Sequence, residues 1–110
     1  MCRVPSCAVF TAIAALGTGG CVSRETIAPP VTAALLGASH GSTAATLEEG
    51  RRIFTGACAT CHAADPVAKH STREWGRIVA DMAGRTKLTP PREAALLAYL
   101  AAARATLPAP

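Results

Sequence analysis

A chain of 110 residues has room for one domain. Half of it is hydrophobic, but only 4% is aromatic and alanine supplies much of the rest, so a core made of side chains alone would be thin. The net charge of +4 comes without basic runs interleaved with aromatics, which argues against nucleic acid and for a basic surface facing acidic protein partners.

The chain opens as an export signal. Arg3 supplies a positive start, and Ala8 to Leu16 form an apolar stretch too short to span a bilayer. The small residues "GTGG" then run into Cys21, as in a bacterial lipoprotein signal whose cysteine becomes the lipid-bearing N-terminus. Thr18 stands where leucine is usual, and the alternative is an ordinary cleavage site nearby. Cys2 and Cys7 leave with a leader of residues 1–21 in either case. Residues 22–45 are rich in Ala, Ser, Thr, Gly and Pro without a sustained period, and they read as a flexible tether in which "TAALLGA" can form a helical turn or two and His40 is solvated.

Residues 46–107 are expected to fold, and the expected class is all-α, with three short helices. The first starts at Thr46, with Glu49 completing a capping-box pattern and Leu47, Ile53 and Phe54 within reach of one face. The second starts at Ser71, again with a glutamate, Glu74, three residues on. Its Trp75, Ile78, Val79 and Met82 make one stripe at i, i+3, i+4 and i+7, and Gly84 is the expected stop. The third has Thr89 as cap, Pro90 at the first helical position and Leu96, Leu97, Tyr99 and Leu100 as its apolar surface. Some sixty residues with so few large side chains need a staple, a metal or a cofactor.

"CATCH", Cys58 to His62, names the cofactor. Cys-x-x-Cys-His is the attachment signature of c-type haem. Two thiols three residues apart on a helical turn reach both vinyl groups on one side of the macrocycle, and the next imidazole lies beneath the iron as proximal ligand. Other readings are weaker. Zinc wants four ligands, and only His40 and His70 remain to complete a set. A thioredoxin-like pair belongs in a βαβ context, which is absent. A disulfide closing so short a loop constrains little.

"GRRIFTGACATCH" resembles the first helix and haem motif of class I cytochromes c, and "AALLAYL" resembles their last helix. The intervening "AADPVAKHSTREWGRIVADM" is similar to small bacterial members with a Trp-then-Met helix, also seen in haem domains of periplasmic dehydrogenases. The resemblance spans essentially the whole expected domain. It implies that Gly50 of the first helix meets Tyr99 of the last beside Phe54. It also implies that the Pro66 carbonyl accepts the proximal imidazole N–H.

The sixth iron position has two candidates. Met82, the only methionine besides Met1, is expected there, since a thioether favours ferrous iron. It follows His62 by only 20 residues, a shorter interval than most class I members have, and at helical spacing it also reads as core. His70 is the competitor. Trp75 is expected to offer its indole N–H to a haem propionate, and Arg73, Arg77, Arg85 and Lys87 to pair with propionates or ring the haem edge. The expectation is one haem c in an exported, periplasmic, membrane-anchored electron carrier rather than an enzyme. The alternatives are a haem enzyme or sensor with an open sixth position and an accessory subunit of a dehydrogenase.

Overall fold

The computed structural model describes residues 27–109. The expected leader, Cys21 and the start of the expected tether lie outside them. Among the described residues there are helices and 3₁₀ turns and no strand, so the class is all-α. In chain order come α1 (Ala33–Gly37), α2 (Ala44–Thr55), 3₁₀ turns at Ala57–Ala59 and Val67–Lys69, α3 (Thr72–Thr86) and α4 (Pro90–Ala105). No helix among the described residues is long and apolar enough to cross a membrane.

Local sequence accounts for the helix ends. α2 begins three residues earlier than expected. Thr43 is its cap, accepting from the Thr46 N–H at 3.1 Å, because Ala44 and Ala45 are strong helix formers that extend the helix backward. α3 carries the expected capping box. Ser71 Oγ accepts from the Glu74 N–H, and the Glu74 carboxylate accepts from the Ser71 N–H at 2.8 Å. Gly84 does not stop α3. The helix runs to Thr86 and closes through Lys87, left-handed at φ 52°, with the Leu88 N–H donating to the Ala83 carbonyl at 3.3 Å. α4 starts behind Thr89 with prolines in its first turn, as expected.

The core forms where α2 and α4 cross. Gly50 makes the crossing possible, since a Cβ there would lie 2.2 Å from the Ala95 carbonyl oxygen and 2.6 Å from Tyr99 Cβ. Phe54 sits one turn on and meets Trp75 of α3 edge-to-face, with ring centroids 5.4 Å apart, so three helices share one aromatic cluster. Leu47, Ile53, Leu96 and Leu100 fill the space around it and are fully buried. At the far end of α4 the buried Arg104 donates through Nη2 to the Pro108 carbonyl.

The expected tether is the main correction. From Ile27 onward it belongs to the folded unit. Ala28 and Leu35 are fully buried in the same core. Tyr99 Oη donates to the Pro29 carbonyl at 2.7 Å, and Arg51 Nε donates to the carbonyls of Ala28 and Pro29 at 3.3 and 3.1 Å. Burial pushes the Tyr99 phenol up to about 12, so it stays a donor throughout the physiological range. Two side chains from different helices thus clamp the approach to α1.

Candidate functional site

One apolar cleft collects most of the residues singled out in the sequence. Its floor is Phe54, Trp75, Val79, Leu96 and Leu100, contributed by α2, α3 and α4. Cys58, Cys61 and His62 stand on one side and Met82 on α3 also lines it. About 930 Å³ of space free of protein atoms lies among these side chains and at the cleft mouth.

Each wall has a local cause. α2 ends at Thr55, and Gly56 turns the chain into the 3₁₀ turn that carries Cys58. Cys58 is half-buried and Cys61 and His62 are exposed, so the motif forms a rim rather than a buried cluster. Both thiols are free. Burial pushes the Cys58 thiol above its ordinary range, which keeps it a neutral S–H. His62 Nδ1 lies 3.0 Å from the carbonyl oxygen of Ala63. Met82 is half-buried one turn beyond Val79, and the Thr86 hydroxyl bonds back to its carbonyl at 2.9 Å, which fixes this last stretch of α3.

His70 is placed elsewhere. It is not part of the cleft lining. Its Nε2 is 2.7 Å from Asp65 Oδ2, and its ring stands edge-on to Trp75 with centroids 4.9 Å apart. Lys69 Nζ holds the other Asp65 oxygen at 2.8 Å. Hydrogen bonds from Lys69 and then His70 hold the Asp65 carboxyl below its ordinary value.

Two expected hydrogen bonds have other partners. Trp75 Nε1 donates to the Val67 carbonyl at 3.0 Å in a buried setting. Its indole therefore ties α3 to the 3₁₀ turn, and its ring serves as cleft wall. The Pro66 carbonyl accepts from the Lys69 N–H at 2.9 Å, and Pro66 leads into that turn rather than lining the cleft. Of the basic residues expected near the haem, Arg85 lines the cleft, one turn beyond Met82. Ala57, Ile78 and Leu88 also line it, and only Ile78 was legible beforehand, through its place in the α3 stripe.

The donor set suits a large apolar group with a polar edge. The lining offers two uncrosslinked thiols, an imidazole, a thioether and aromatic and aliphatic walls, with Asp65 and Arg85 as the charged exceptions. Among the described residues no group of three or more His, Cys, Asp and Glu side chains is arranged to hold a metal ion. A His–Met axial pair is not a group of that kind. No family model, curated protein or solved structure matches the chain.

Proposed function

We propose that this protein is a monohaem c-type cytochrome that carries single electrons between redox partners. The observation that carries this reading is the convergence of Cys58, Cys61, His62 and Met82 on one apolar cleft, with His70 outside it. Cys58 and Cys61 are the attachment points, His62 the proximal ligand and Met82 the distal one. Haem, when bound, supplies an iron that gains and loses one electron without an open coordination site.

The chain's own residues do the rest. Phe54, Trp75, Leu96 and Leu100 exclude water from the cleft, and Arg85 offers a cation at its edge for a carboxylate group. Export, lipid attachment at Cys21 and acidic redox partners belong to the same reading. They are supported by the apolar leader, the "GTGGC" stretch and the positive charge.

The direct test is the mass of the intact protein produced together with haem-maturation machinery. The account expects one covalently added haem, lost in the Cys58→Ala/Cys61→Ala variant together with its folded circular dichroism. A polypeptide mass without haem from the wild type would refute it.

A further inference from the structure

We propose that the uncharged face built by residues 27–47 lies directly against the lipid surface. The proposal rests on reading Cys21 as the lipid-bearing residue, and it does not depend on the haem. Three observations carry it. First, the clamp of Tyr99 and Arg51 on Ala28 and Pro29, with Ile27 packed on the core beside them, carries the folded unit back at least to Ile27. Only six peptide links separate it from Cys21, which even fully extended span about 20 Å. A free tether reaching to Thr46 would have allowed about 85 Å, enough to let the domain stand away from the bilayer.

Second, from Thr26 to Leu47 the chain holds no Asp, Glu, Lys or Arg, with His40 the sole titratable side chain. The segment itself therefore brings no fixed charge to a bilayer, where desolvating one would cost a great deal, and the neighbouring Arg51 is held back on the Ala28 and Pro29 carbonyls. Third, its surface is apolar where it begins. Pro30, Ala33, Ala34 and Leu36 are exposed along α1 and its approach, and Leu36 is the large hydrophobic residue left exposed among the described residues, at 38%. A short anchor delivers this face to the boundary of headgroups and acyl chains, where such side chains are stabilised. None of residues 27–47 lines the cleft, so the contact leaves the cleft free for a partner in or on the same membrane.

The test uses the full-length protein exported with its own leader, purified with its lipid and reconstituted in vesicles of phosphatidylethanolamine and phosphatidylglycerol. Leu36→Cys and Asp81→Cys each receive a nitroxide, with the unsubstituted protein treated alongside so that any label on Cys58 or Cys61 is subtracted; both positions are exposed, and Asp81 lies on α3 outside the proposed face. Flotation with the vesicles reports the anchor, and relaxation by a water-soluble nickel complex reports the face. The expected result is flotation of both, with the label at position 36 several-fold less accessible to nickel than the label at 81. Flotation with equal accessibility would overturn the membrane-facing surface while leaving the anchor intact. Failure to float, with an unmodified Cys21 by mass, would overturn the anchor and the proposal with it.

Discussion

Gly50→Ala tests the packing on which the cleft depends. An added Cβ would lie 2.2 Å from the Ala95 carbonyl oxygen, where contacts below 3.0 Å are essentially never found, so α4 must retreat by about 0.8 Å. The obstacle is backbone, which cannot swing aside as a long side chain would. Overpacking of this kind costs about 1–3 kcal/mol, and a rigid neighbour puts this site at the upper end. Alanine recovers up to about 1 kcal/mol over glycine in a helix interior. The net expectation is a loss of about 2 kcal/mol, or a fall in Tm of about 8–16 °C for a domain of this size. Leu96 and Leu100 move with α4, so the cleft should loosen as well. The control is Gly76→Ala in α3, where a Cβ meets nothing within 4 Å. It should stabilise by about 0.5–1 kcal/mol. Both variants are read by thermal and urea unfolding of the matured protein. If Gly50→Ala proves as stable as wild type, α2 and α4 do not cross at this glycine and the reasoning fails.

Other expectations follow from single groups. Tyr99→Phe removes the donor to the Pro29 carbonyl and should cost about 1 kcal/mol; limited proteolysis should then cut first near residues 27–31, while the visible spectrum stays unchanged. The Ser71 hydroxyl and backbone N–H hold the Glu74 carboxyl below its ordinary value. A carboxyl lowered on folding adds stability above its unfolded pKa of about 4.3, and that share is lost as pH falls through the lower folded value. Glu74→Gln should therefore flatten the acid limb of α3 unfolding followed by hydrogen exchange, and an unchanged acid limb would contradict the capping box.

The helices were legible because their signals are local. The α3 stripe and its Ser71–Glu74 box, and the Thr89–Pro90 start of α4, each declare themselves within a turn. Of the segment before α2, the helical turn in "TAALLGA" was legible but its docking into the core was not, and the reason is physical. Its buried residues, Ala28 and Leu35, are isolated and show no period, and the groups that hold it are backbone carbonyls accepting from Tyr99 and Arg51. Every residue has such a carbonyl, so the sequence cannot mark which one is used. The same holds at the site. Cys58, Cys61 and His62 stand out by type and spacing, and Met82 by its place in the stripe, whereas the Trp75 indole and the Pro66 carbonyl found backbone partners that composition does not reveal.

The central claim concerns the two faces of one iron, and a visible spectrum of the matured protein tests it most directly. The account predicts a low-spin ferric haem with the weak far-red band of sulfur-to-iron charge transfer. That band should disappear in Met82→Ala and persist in His70→Ala, and wild type should not bind carbon monoxide rapidly when reduced. A low-spin spectrum without the band, altered by His70→Ala and untouched by Met82→Ala, would contradict the assignment drawn from the cleft. A high-spin wild type that binds carbon monoxide at once would contradict the electron-carrier account itself.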